Sequence, residues 1–305
     1  MPRLTFVRAA AGKLAAIAVL TSVLALGASA QDDQKRELFN SIEWSDGPAE
    51  GRLGNVAQVA VPEGCRFTES AGAKSFLELT ENPTSGDEVG ILLCSTAAEG
   101  NPADERSWFV VYEYDGSGYV KDDEKTELDG DKILATLREG NAAGNRERRR
   151  RGWSELTLDG WIKAPYYDEA THNLTWSTRV ISDGDTAVNH SVRLLGRGGV
   201  MKVDLVADAS ALPLVLPSFD GVIATTAFTS GNTYAEWRAG DKVAAYGLTA
   251  LVAGGAAAKL GLFGKLWKLI LASGKAIIVA IVAAFAGLKK MFSRRKSHDP
   301  TPARG

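Results

Sequence analysis

The chain has 305 residues, 35 Lys and Arg against 37 Asp and Glu, and a formal net charge of −2. That balance gives no reason to expect nucleic acid as a partner, because the basic residues gather at the C-terminus and a membrane surface accounts for them more simply. The two cysteines, at 65 and 94, sit in no C-x-x-C spacing and have no nearby His, so neither zinc nor a redox motif is indicated.

Arg3, Arg8 and Lys13 precede an apolar run from Leu14 to Leu26, and Ala28-Ser29-Ala30 follows with small residues where a signal peptidase cuts. Residues 1–30 are therefore expected to be a signal peptide, removed after Ala30. Residues 31–242 then form an exported domain, placed in the periplasm of a cell with two membranes. In that oxidising compartment Cys65 and Cys94 are expected to form a disulfide, in preference to two buried thiols.

Within the domain, Val56–Val61 alternates in hydropathy and Pro62-Glu63-Gly64 turns the chain into Cys65-Arg66-Phe67, the pattern of a hairpin. Ser70 is expected to cap a short helix through Phe76, Leu77 and Leu79, stopped by Asn82-Pro83. Strands are predicted over 89–94 and 107–114, the latter placing Trp108, Val110, Tyr112 and Tyr114 on one face, with a further short strand at 119–121. Over 129–151 the period changes. Ile133, Leu134 and Leu137 line one side, acids open the segment and arginines close it, which suits a helix dipole. This helix is expected to connect two subregions, 38–128 and 152–242. In the second, strands at 174–180, 188–195 and 200–206 make a meander, a loop covers Tyr166–Thr171, and 209–223 is partly helical. The fold class is α+β, with antiparallel sheets and a few helices.

From Val243 to Leu288 the chain is almost wholly Ala, Gly, Leu, Ile and Val, interrupted by Lys259, Lys265, Lys268 and Lys275, and then becomes basic. A C-terminal transmembrane helical segment is predicted over 243–288, most simply as one span at Leu269–Leu288, with 289–305 as a cytoplasmic tail. Ala250, Gly254 and Ala258 put small residues on one helix face, which favours close packing against a membrane-protein partner or a second copy.

Five ordered blocks are specific. They are Tyr119–Asp123; Gly160-Trp161 with Pro165-x-Tyr167-Asp168; Leu174-x-Trp176; Asn189-x-x-x-Arg193-x-Leu195-Gly196-Arg197-x-Gly199-Val200; and Asp241–Leu248, running on to Gly254-Gly255 and Ala258-Lys259. Together they resemble a bacterial family of uncharacterised membrane-anchored proteins, domain of unknown function 2167. The resemblance covers about Gly51 to Phe292. It implies an exported protein bound to the inner (cytoplasmic) membrane, with no assigned activity and no catalytic residues to carry over.

The residues themselves offer weak ligand candidates. On a regular strand Asn189, Arg193 and Arg197 share a face, and two guanidinium forks suit a carboxylate or phosphate. The competing expectation is internal pairing of these arginines with Asp168, Asp204 or Asp208. Tyr166, Asp168 and His172 stand together in the preceding loop. The acidic stretch at Asp122–Glu124 lacks the spacing of a calcium loop, and the arginines at 146 and 148–151 match a solvated helix end or a lipid-facing patch. No catalytic residue, cofactor or metal is expected. The favoured function is a non-enzymatic, membrane-anchored interaction module of the bacterial envelope. The alternative is a small anionic-ligand sensor or hydrolase using the Asn189–Arg197 face with the Tyr166–His172 loop.

Overall fold

A computed structural model describes residues 34–98 and 101–253. The strands are β1 Ser45–Asp46, β2 Ala49–Leu53, β3 Ala57–Val61, β4 Cys65–Glu69, β5 Glu88–Ala98, β6 Asn101–Asp115, β7 Thr157–Asp168, β8 Asn173–Ser182, β9 Asp185–Leu195, β10 Val200–Asp208 and β11 Ala227–Phe228. Residues 34–40 are helical, and the helices that follow are α1 Ser70–Leu79, α2 Gly130–Arg151, α3 Leu212–Thr225 and α4 Leu248–Val252. Eight strands form one sheet in the order β1-β4-β5-β6-β10-β9-β8-β7, and β11-β3-β2 form a second. All pairings within the two sheets are antiparallel. This is the α+β class with a large antiparallel sheet and few helices.

The expected division at 129–151 does not separate two sheets. β10 pairs with β6 from Val200↔Asp115 to Val206↔Phe109, so the two stretches share one continuous ladder. The connecting helix itself is present as α2. Asp129 Oδ1 accepts a hydrogen bond from the Lys132 amide at 3.1 Å, and Gly152 closes the other end at φ +73°.

Four local expectations change. The hairpin over 56–67 is not one, because β3 pairs with β2 in the small sheet while β4 pairs with β5 in the large one. Alternation fixes which face a strand buries and leaves its partner open. The short strand at 119–121 is a single bridge from Tyr119 to Val243. Tyr166–Asp168 belong to β7 and not to a loop. Ser70 begins α1 but does not cap it; Glu69 holds the cap position without a side-chain bond.

The boundary expected between 242 and 243 also moves. Ala244 donates to the Tyr119 carbonyl at 2.8 Å, and Leu248, Leu251 and Val252 are buried in the protein. Apolarity alone does not distinguish a lipid-facing helix from a core-facing one. The expected signal peptide, the Leu269–Leu288 span and the basic tail lie outside the described residues. Among the described residues no helix is long and apolar enough to cross a membrane.

Pleating gives the large sheet two different faces. On one, Trp108, Val110 and Tyr112 of β6 and Met201, Val203 and Leu205 of β10 pack beneath the small sheet and α3, whose Val215, Phe219 and Val222 are buried. Cys65 and Cys94, opposite each other in register, are disulfide-bonded within this layer. On the other face lie two separate clusters. Ile42, Phe76, Leu77 and Ile91 pack around α1, and Ile133, Leu174, Trp176, Leu248 and Leu251 pack around α2 and α4.

Candidate functional site

Between those two clusters the sheet presents polar side chains where a core would need apolar ones. β10 alternates so that Met201, Val203 and Leu205 face the closed core, which leaves Lys202 and Asp204 on the helical face. Their neighbours complete two ion pairs. Lys202 Nζ lies 3.2 Å from Glu113 Oε2, and Asp204 Oδ1 accepts from Ser191 Oγ at 2.5 Å and Arg193 Nη1 at 3.1 Å. Arg193 is only 8% exposed, and its guanidinium carbon sits 4.6 Å over the Trp176 ring. Nη1 also donates to the Val192 carbonyl at 3.2 Å, while the buried Nε has no partner. Above this stripe is a cavity of about 490 Å³, walled by Leu77 of α1, Leu137 of α2 and Leu251 of α4.

Of the predicted ligand candidates, Asn189 and Arg193 line this cavity and Arg197 does not. Arg197 lies past the end of β9, where its Nε and Nη2 donate to Asp241 Oδ2 and Oδ1 at 2.7 and 2.8 Å. The Arg197 fork, with the Arg238 amide, holds the Asp241 carboxyl well down, at about 2. The expected internal pairing is therefore met at Asp204 for Arg193. For Arg197 the partner is Asp241, 44 residues on and none of the three aspartates expected. The shared face of the two arginines ends with the strand, at Leu195.

The second expected segment stands apart. No residue of Tyr166–His172 lines the cavity. Tyr166 is exposed, with Lys163 Nζ 3.9 Å from its ring centre, and Asp168 accepts from the Ala170 amide at 2.8 Å, which lowers its pKa. The residue that does connect is Tyr167. Its hydroxyl donates to Asp122 Oδ2 at 3.0 Å and lies 3.0 Å from His172 Nδ1. Burial, reinforced by the Asp122 carboxylate, raises the Tyr167 pKa, so the phenol stays protonated. His172 adopts φ +55°, and its ring stands 4.6 Å from that of Tyr234. This set binds the Asp122 loop, β7 and the 3-10 turn at Tyr234–Glu236 together.

Sequence reasoning passed over one buried polar pair. Ser177 Oγ and His190 Nδ1 are 2.6 Å apart on neighbouring strands, with the His190 ring packed edge-on against Phe219 of α3. Burial lowers the His190 pKa, so the imidazole is neutral. The geometry resembles a nucleophile and base, but both residues are buried and directly opposed in the β8–β9 ladder, with His190 against α3. The arginine run at the end of α2 is likewise committed. Arg148 is buried and donates to the Glu81 carbonyl at 2.8 Å, Arg149 pairs with Glu155 at 2.7 Å, and Arg150 and Arg151 both pair with Glu147. Of the small-residue triplet only Ala250 is described; it lies half-buried on α4, and Gly254 and Ala258 fall outside the described residues.

A family model for a protein of unknown function (DUF2167) matches residues 45–286. The chain belongs to this family. Its members' shared description carries no activity. The cyanobacterial PsbP protein (CyanoP) of Synechocystis sp. PCC 6803 aligns over 62% of this chain and 93% of its own, at 12% identity and a TM-score of 0.34. A Pseudomonas aeruginosa protein of unknown function aligns over 44% of this chain and 80% of its own, at 14% identity and a TM-score of 0.24. At those scores neither bears on function. No curated protein matches the chain.

Proposed function

We propose that this DUF2167 protein is an exported module held at the bacterial inner membrane by its C-terminal apolar segment, and that it works by binding a protein partner and not by catalysis. One observation carries the binding half of this reading. Arg193 and Arg197, the residues best suited to capture an anionic substrate, are each neutralised by an aspartate of the same fold. Arg197 is held in a bidentate pair and Arg193 is charge-matched through Nη1, so neither offers an uncompensated positive charge to a second carboxylate or phosphate. The targeting half rests on the sequence: the basic, apolar and small-residue order of residues 1–30, and the apolar run followed by Lys289, Lys290, Arg294, Arg295 and Lys296. The partner is a membrane protein, or a second copy, packing against the Gly- and Ala-rich stretch around Gly254.

Crosslinking in intact membranes followed by pull-down tests the whole reading. A stoichiometric membrane-protein or self-crosslinked band, reduced in Gly254→Leu, is the expected result. Recovery of the full-length chain from the soluble cytosol with its first thirty residues attached overturns the targeting half. An unchanged band pattern in Gly254→Leu overturns the proposed contact.

A further inference from the structure

We propose that the cavity on the helical face binds an uncharged, mainly apolar small molecule that presents a carbonyl oxygen to Arg193. The charge balance sets the first requirement. Arg193 is matched by Asp204, and Lys202 by Glu113, so an added carboxylate, phosphate or ammonium would bring an uncompensated charge beside pairs that are already neutral. Hydrogen bonding sets the second. With Nη1 engaged by Asp204 and the Val192 carbonyl, the buried Nε of Arg193 has no partner among the described residues. A buried donor left in that state is costly, and a carbonyl oxygen on the guanidinium edge shared by Nε and Nη2 meets it without adding charge.

Two further polar groups stand beside this donor. Thr178 and Asn189 face each other in register on β8 and β9, both line the cavity, and neither side chain bonds to a described residue. They offer a hydroxyl and an amide to a second polar atom of the ligand. The remaining walls are mainly apolar, with Asn82 and Asn141 among them, and a cavity of about 490 Å³ falls in the range of small-molecule sites. The sheet beneath explains why the protein does not fill the space itself, since the two apolar clusters stop where the polar stripe begins.

Gly140 provides a test that spares the fold. It lines the cavity on α2, and a Cβ built there meets nothing within 4 Å. The full chain in phosphatidylcholine nanodiscs is titrated with Prodan, an uncharged naphthyl ketone whose emission moves to the blue in apolar surroundings. The anionic probe 1-anilinonaphthalene-8-sulfonate is titrated in parallel, and empty nanodiscs supply the background. Saturable Prodan binding above background is expected, weakened by about tenfold or more in Gly140→Phe, which unfolds at or above the wild-type temperature. Asn189→Leu, which keeps the branched shape and removes the amide, is expected to weaken Prodan severalfold and keeps the test decisive if Gly140→Phe does not fold. Prodan binding no greater than to empty nanodiscs, or equal in wild type and both variants, overturns the proposal. So does the sulfonate binding as tightly as Prodan with the same loss in Gly140→Phe.

Discussion

On one face of the eight-stranded sheet, β6 and β10 lay down Trp108, Val110, Tyr112, Met201, Val203 and Leu205 without a break, and α3 with the small sheet covers them. On the other, the same strands present Glu113, Lys202 and Asp204, and the helices above pack only to either side. A closed face has no room for change in either direction, while an open one tolerates added atoms. The difference assigns stability to the first face and recognition to the second, and it can be broken or sharpened residue by residue.

The largest expected effect is on the closed face. Phe219 is fully buried there, and Phe219→Ala should lower unfolding free energy by about 3–5 kcal/mol in denaturant titration. A loss much below that range would mean that α3 covers the sheet more loosely than its burial implies. Removing the disulfide by Cys65→Ala with Cys94→Ala opens a loop with a sequence separation of 29, and should cost about 3–4 kcal/mol on the chain-entropy account. Reductant should leave the double variant's melting temperature unchanged while lowering that of the wild type.

A pair of glycines makes the contrast directly. A Cβ at Gly90 would lie 2.5 Å from the Phe67 ring, whereas at Gly140 it meets open space. Gly90→Ala should therefore destabilise by roughly 1–3 kcal/mol through overpacking. Gly140→Ala, within α2, should instead stabilise by about 0.5–1 kcal/mol through helix propensity. Equal signs for the two substitutions in thermal melts would remove the distinction between the faces.

The smallest expected effect is a pH dependence. His190 is buried with a pKa below the ordinary 6.5, so the unfolded chain binds its proton first. The stability linked to it is complete above 6.5 and is lost as pH falls towards the folded value, below which it levels off. The difference in melting temperature between wild type and His190→Gln, followed from pH 7.5 to 5, should narrow on the acid side. A difference independent of pH would place His190 in contact with water.

Much of the fold was legible where local physics is decisive. Alternation in 107–114 located β6 and its buried face, and the acid-to-arginine gradient with Asp129 and Gly152 located α2, because pleat and capping act over a few residues. The candidate site was legible only in part. Asn189 and Arg193 were singled out for residue type and strand spacing, and both line the cavity. The grouping with Arg197 failed because a strand's periodicity stops where the strand stops. Tyr167 and Ser177 were missed, since an aromatic beside Tyr166 and a serine in a strand look ordinary until a partner on another strand is known.

The amino-acid order by itself determined the alternation of faces, the helix limits and the separation of an acidic body from a basic end, all consequences of neighbours a few positions apart. Only the tertiary structure decided that β3 and β4 join different sheets, that β6 meets β10, and that Val243–Val252 completes a core. Those outcomes depend on contacts between residues up to about a hundred positions apart or more, such as Tyr119 with Val243. Apolarity states that a segment avoids water; which dry surface receives it is settled by the rest of the molecule.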